Sequence, residues 1–441
     1  MLAGPLLAAA ALLHGWTPLA GRGRVSTGAI AAAAPGAHSV AAEIVMERFG
    51  CTVAEATAME AKLQKRTVRR VRAEATFGEL KQRLRLSEDE LKKVILRQPS
   101  VLGYSYENKL SPSLTSLQQR LSLSDAQLKK VVLSLPAVLG YSYESNLAPS
   151  LASLQQRLHL SNPELKKLIV RLPALLGLSY ASNIEPSLVA LEDRLSLSEE
   201  ELKRLVLRLP TVIALSYEAN IQPKLLAIQQ RLGLSDAELK KLILRLPAVL
   251  SYSYEANITP SLARLQQRLG LTDLELKKVV TRSPSVLSYS YAENLAPSLA
   301  ALQQRLGLSE DELKKVIVRF PTVLGLSYDS NLAPSLAALQ KRLRLSEEGL
   351  RKVVMRLPQV LSYSYEANLA PKIQFLEEEL ELSTRALGEK VLAQPALLSC
   401  SLEHRYRPRL ARCKAAGKPV RLVIDRVTLA DDSFERLMKV S

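Results

Sequence analysis

The sequence predicts an all-α fold, an α-solenoid (a superhelical array of about nine 37-residue helical repeats), and three observations carry that expectation. Prolines stand at 99, 136, 173, 210, 247, 284, 321, 358 and 395, a constant step of 37 residues. A second set follows each of them by 13 residues, from Pro112 to Pro408, with no insertion. Between the prolines apolar residues recur at helical spacing, and a fixed period of this length marks stacked helical repeats. The 441 residues are 47% hydrophobic but only 5% aromatic, which suits a long aliphatic core and excludes a mainly disordered chain.

The elements of one repeat follow in order. Ser87-Glu88-Asp89-Glu90 is a capping box that starts a leading helix. The Ser/Thr-x-x-Glu pattern recurs at Ser161, Ser198, Ser235, Thr272 and Ser309, with Gln127 as acceptor after Ser124. Leu91, Val94 and Ile95 form the buried stripe, and Pro99 ends the helix near Arg97. The segment after Pro99 has the length of a single helical turn and a loop. A trailing helix is expected to start at an Asn cap, at 146, 183, 220, 257, 294, 331 and 368, three residues before the second proline. Its stripe in the first repeat is Leu110, Leu114, Leu117 and Leu121. Neither helix can bury its apolar face alone, so neighbours must stack. Phe77–Leu84 reads as a lone trailing helix that closes the start of the array.

These boundaries divide the chain into residues 1–42, 43–75, 76–408 and 409–441. The first segment has no Asp or Glu before Glu43 and is rich in Ala, Leu, Gly and Ser, as expected of a cleaved organelle-targeting peptide. Its apolar stretch, Leu2 to Leu13, is too short to span a bilayer. Residues 43–75 form a basic segment, the third span is the repeat array, and the last closes it. The net charge is +17, of which residues 1–86 and 383–441 hold +6 each, leaving +5 for residues 87–382, the body of the array. A polyanion is the partner that such a balance favours. In the array itself the charges are nearly balanced, so their placement decides where a polyanion could lie.

The repeat also resembles a known family. The pattern Leu242-Ile-Leu-Arg-Leu-Pro247-Ala-Val-Leu250, then Ile258-Thr-Pro260-Ser-Leu262-Ala-Arg-Leu265, is similar to that of the MTERF family, the mitochondrial transcription termination factor repeat proteins. Pro395-Ala-Leu-Leu398, Ser401-Leu-Glu-His-Arg405, Pro408-Arg409 and the closing Asp431-Asp432-Ser-Phe434 resemble its C-terminal repeat and end. The resemblance covers residues 76–441. It implies an α-solenoid with a basic groove, a mitochondrial or plastid location, and binding of double-stranded DNA or, for some members, RNA. Its roles include transcription termination or initiation and organellar RNA metabolism. The central repeats here are more alike than is usual in that family.

The candidate nucleic-acid-binding residues come from two registers. On the leading helices a Lys-Lys pair recurs, and its second member shares a face with an Arg four residues on. These residues are Lys93/Arg97, Lys130, Lys167/Arg171, Arg204/Arg208, Lys241/Arg245, Lys278/Arg282, Lys315/Arg319 and Lys352/Arg356, with Ser134 breaking the second pair. Near the end of each trailing helix stands a further Arg, at Arg120, Arg157, Arg194, Arg231, Arg268, Arg305 and Arg342. The resemblance adds Arg405 and Arg409, with Arg407 between them. Stacking would align these cations into a rail that neutralises phosphates and positions a duplex without reading its sequence. The bland competitor is that such charges complement helix dipoles and solvate the surface. The recurrent Tyr106, Tyr143, Tyr180, Tyr217, Tyr254, Tyr291, Tyr328 and Tyr365 are expected to pack between repeats rather than to stack on bases. The Ser before each is expected to be a turn or cap residue.

No catalytic constellation appears. Beyond residue 42, His159 and His404 are the only histidines and stand at non-equivalent positions. Cys400 and Cys413 have no partner pair for zinc, and there is no Gly-rich phosphate loop or nucleophile elbow. The expectation is a non-enzymatic organellar protein, without cofactor, metal, membrane or small-molecule substrate. It would bind double-stranded DNA as a monomer and regulate organellar transcription by termination or activation. RNA binding in splicing or ribosome biogenesis, and a protein-interaction scaffold, are the competing classes.

Overall fold

The computed structural model describes residues 39–63 and 68–439, which are helices and short connections with no strand among them. The sequence-predicted leader, residues 1–42, falls almost wholly outside the described residues, as do Lys65 and Arg66 of the basic segment 43–75. The chain divides into two compact units, residues 1–225 and 226–441. Each is an α-solenoid built from the same repeat.

In the first repeat, the leading helix runs Glu88–Arg97, a 3₁₀ turn follows at Pro99–Gly103, and the trailing helix is Ser111–Leu121. Leu91, Val94 and Ile95 are fully buried, as the stripe requires. The capping boxes form at Ser87/Glu90, Ser124/Gln127, Ser161/Glu164, Ser198/Glu201, Ser235/Glu238, Thr272/Glu275 and Ser309/Glu312. Each trailing helix closes on a residue in the left-handed region, for example Arg85, Ser122 and His159 (φ +50°, +48° and +46°) and Gly233, Gly270 and Gly307.

The trailing helix starts differently from the expectation. It is preceded without a break by a single π-helical turn, Tyr106–Leu110 in the first repeat and Tyr143–Leu147 in the second. The cap is the Ser before that turn: Ser142 Oγ accepts from the Ser145 N–H. Asn146 lies inside the turn and its Oδ1 accepts from the Ser142 N–H at 3.1 Å. Asn183, Asn257 and Asn294 do the same for Ser179, Ser253 and Ser290. The Ser Oγ thus accepts from the N–H three residues on while the Asn Oδ1, four residues on, accepts from the Ser N–H, across a turn one residue wider than a standard capping box.

The helical packing also begins earlier than residue 76. Helices Val40–Phe49 and Val53–Lys62 precede Arg70–Leu84, and Ala42, Val45, Ala56 and Met59 are buried. Phe49 meets Phe77 edge-on, 5.5 Å between centroids. The helix at 77–84 is thus not alone, and the divisions at 42/43 and 75/76 both fall inside helices. At the other end, Arg407–Ala415 spans the division at 408/409.

Candidate nucleic-acid interface

The structure sorts the basic residues of each repeat into classes with different work. The first member of each Lys pair is a buttress between consecutive leading helices. In the first unit Lys129 Nζ donates to the carbonyl of Arg85 at 2.9 Å and pairs with Glu90 at 2.7 Å. Lys203 does the same with His159 O and Glu164, both at 3.0 Å. In the second unit Lys277 joins Gly233 O and Glu238, and Lys314 joins Gly270 O and Glu275. Each ammonium thus satisfies a helix-end carbonyl and the capping glutamate of its neighbour. These contacts, with the Ser/Thr cap, hold the glutamates well below the usual carboxylate range: Glu164 falls to about 2, and Glu90, Glu238 and Glu275 are lowered too.

The trailing-helix arginines, expected on the rail, are staples to the next repeat. Arg268 reaches Gln303 at 2.6 Å and pairs with Glu310, and Gln303 itself donates to Glu310 at 3.0 Å. Arg305 makes the same triad with Gln340 and Glu347, Arg231 with Gln266 and Asp273, and Arg120 with Gln155 and Asn162. Arg157 pairs with Glu192 and Arg342 with Glu377. Arg194 is half-buried in the same register. Arginines held in this way are spent on repeat stacking; where the partner is a carboxylate, as for Arg157, Arg231, Arg268, Arg305 and Arg342, the charge is also paired.

The C-terminal arginines serve the same end. Arg409, 1% exposed, donates to Asp431 at 2.6 Å and to the carbonyls of Arg426 and Leu429, with its guanidinium over the Phe434 ring. It cannot meet a phosphate without unpacking the end of the chain. Arg405 donates to Val427 O at 3.3 Å, and exposed Arg407 pairs with Glu403 at 3.0 Å.

What stays outward is the second register of the leading helices. Lys93, Lys130, Lys167 and Arg204 are exposed in the first unit, and Lys241, Lys278, Lys315 and Lys352 in the second. Of these, Lys352 pairs with Glu348 at 2.7 Å. The arginines four residues on are exposed too, and most are held in place. Arg171 donates to Leu207 O at 2.7 Å, Arg245 to Thr281 O at 2.7 Å and Arg282 O at 3.0 Å. Arg319 donates to Met355 O at 2.8 Å and Arg356 to Leu392 O at 3.1 Å. Each guanidinium caps the last carbonyls of the following leading helix, so it is oriented by neutral acceptors. A guanidinium carries five N–H donors in a planar fork, and carbonyl acceptors of this kind carry no formal charge. Between adjacent helix ends lies a groove of about 410 Å³ lined by Glu238, Lys241, Leu242, Arg245, Thr281 and Arg282. Arg97 and Arg208 are exposed in the same register, and Ser134 interrupts the row.

Tyrosines of the expected register pack between repeats where the structure is explicit: the Tyr254 hydroxyl donates to Ala227 O at 3.1 Å, and Tyr217 is buried. Sequence reasoning missed the glutamines that bridge several trailing-helix arginines to an acid or amide of the next repeat. The recurrence of Gln118, Gln155, Gln266, Gln303 and Gln340 was the available signal.

Fold and site together define an all-α repeat protein with an outward cationic row on its leading helices. The mTERF family matches residues 79–188, 150–268 and 264–435, and the chain belongs to that family. Proteins of this family generally bind nucleic acids and are not typically enzymes. No curated protein matches the chain. No helix among the described residues is long and apolar enough to cross a membrane.

Proposed function

We propose that this protein binds double-stranded DNA in an organelle, as a monomer, and regulates transcription there. The observation that carries the reading is the leading-helix row: exposed Lys and Arg at a constant 37-residue period, with the arginines pre-oriented by neutral carbonyls. Such a row is built for the phosphate backbone, whose neutralisation dominates affinity. Repeats that read RNA bases one by one vary at fixed positions; here those positions are nearly constant, which favours sequence-tolerant grip on a regular duplex. The acid-free leader supports organellar import, and the burial of Ala41 and Ala42 in the helix at Val40–Phe49 supports a cleavage point before Ser39. The test is a salt series on the protein lacking residues 1–38, titrated with duplex DNA and with single-stranded RNA. Tighter binding to the duplex, with a log–log slope steeper than about −4 for five or more phosphates, is the expected result. A flat slope, or preference for the RNA, overturns it.

A further inference from the structure

A cleft of about 450 Å³ opens in the second unit between one trailing helix and the 3₁₀ turn of the following repeat. Tyr289, Glu293, Asn294, Ser298, Leu324 and Gly325 line it. The internal repeat shows what belongs there, because the equivalent place 74 residues later is filled from within. Lys372 replaces Ser298 in register and is only 5% exposed. Its Nζ donates to Asn368 Oδ1 at 2.8 Å and to Leu398 O at 3.0 Å, and lies 5.2 Å from the centre of the Tyr363 ring. Asn368, Leu398 and Tyr363 are the register equivalents of Asn294, Leu324 and Tyr289, all of which line the open cleft. In the first unit a second ammonium occupies the same kind of place: Lys109 Nζ lies 3.5 Å from the ring centre of Tyr104, the equivalent of Tyr289.

We infer that the cleft at Ser298 is a binding site for a primary alkylammonium group. The acceptors that hold Lys372 are all present, and the lysine stem is absent. Asn294 Oδ1 accepts one bond, from Ser290 N–H at 3.0 Å, and a carbonyl oxygen can take a second. The Tyr289 face supplies the cation–π attraction. Gly325 keeps the floor open, since a Cβ there would lie 3.3 Å from the Tyr289 hydroxyl and 3.4 Å from Ser285 Oγ; the filled site has Ser399 at this position. Two carboxylates complete the match. Asp329 lines the cleft, and Glu293 stands where the other repeats carry Asn108, Ser145, Ser182, Ala219, Ala256, Ser330 and Ala367. Three N–H donors on one small cation are what this set of acceptors can satisfy, which a quaternary ammonium cannot offer.

The ammonium could come from a free diamine or from a lysine side chain on another polypeptide, and one experiment separates the two. The protein is titrated calorimetrically with cadaverine, with Nα-acetyl-lysine methylamide and with tetramethylammonium. Saturable binding of a primary amine at one site, and binding of tetramethylammonium at least about tenfold weaker, is expected. Saturation by cadaverine alone assigns the site to small amines; saturation by the capped lysine assigns it to a lysine side chain. Ser298→Lys closes the cleft as Lys372 closes its own and should weaken amine binding by about tenfold or more. Lys372→Ser should open a second site and raise the stoichiometry from one to two. If Lys372→Ser does not fold, Glu293→Gln provides the second arm, with a several-fold loss. Unchanged affinity in Ser298→Lys, or no saturable binding of either primary amine to the unmodified protein, overturns the inference.

Discussion

Two rows of cations run along the repeats, and they do different things. Those at the ends of the trailing helices meet carboxylates and amide side chains of the next repeat; at the ends of the leading helices, Arg171, Arg319 and Arg356 donate to its backbone carbonyls. Arg268 and Arg319 illustrate the difference. Arg268 is half-buried against Gln303 and Glu310, whereas exposed Arg319 donates to the neutral carbonyls of Met355 and Arg356. The same residue type is a fastener in one register and a field source in the other. What decides is whether the partner carries a charge.

The largest effect is expected on the outward row. Reversing Lys241, Lys278 and Lys315 to Glu should weaken duplex binding at low salt by roughly 10³-fold, and flatten the salt slope by about 3, while the melting temperature stays put. Unchanged affinity would remove the leading helices from the interface. Arg409→Ala should do the reverse, costing about 3 kcal/mol in urea denaturation because it strands Asp431 and the carbonyls of Arg426 and Leu429. Its salt slope on DNA should match that of the unmodified protein. A smaller effect, about 1 kcal/mol or less, is expected for Arg268→Ala, whose triad is partly solvent-screened. A loss of DNA affinity beyond that stability change would return the trailing-helix row to the interface.

The buttress glutamates sharpen the comparison through pH. Their folded pKa values lie below the ordinary carboxylate value, so their contribution is fully present above about pH 4.5 and is lost as pH falls toward the folded value, about 2 for Glu164. The urea midpoint should therefore fall between pH 4.5 and 2, and Glu164→Gln should make that fall shallower. An identical pH profile in the variant would assign the acid sensitivity elsewhere.

Much of the fold was legible because its signals are local. Ser87 and Glu90 are three residues apart, Pro99 acts on its own turn, and the stripe Leu91, Val94, Ile95 is one helix face. The Asn cap was misplaced for the same reason. Ser142 and Asn146 are each good cap residues, and the sequence does not say which donates and which accepts when both lie in one turn. The candidate site was half legible. Basic residues at a fixed period could be found, but Arg268 meets its partners 35 and 42 residues away, a pairing that only stacking creates.

The repeat, its length, the starts and stops of its leading helices, and the family follow from the sequence alone, since each rests on contacts within a turn or on strict periodicity. Only the tertiary structure decided which cations are fasteners and which face outward, and that Lys372 fills a place that Ser298 leaves open. A charge has a direction and a partner only once neighbouring repeats have stacked, because the groups that neutralise it belong to another repeat.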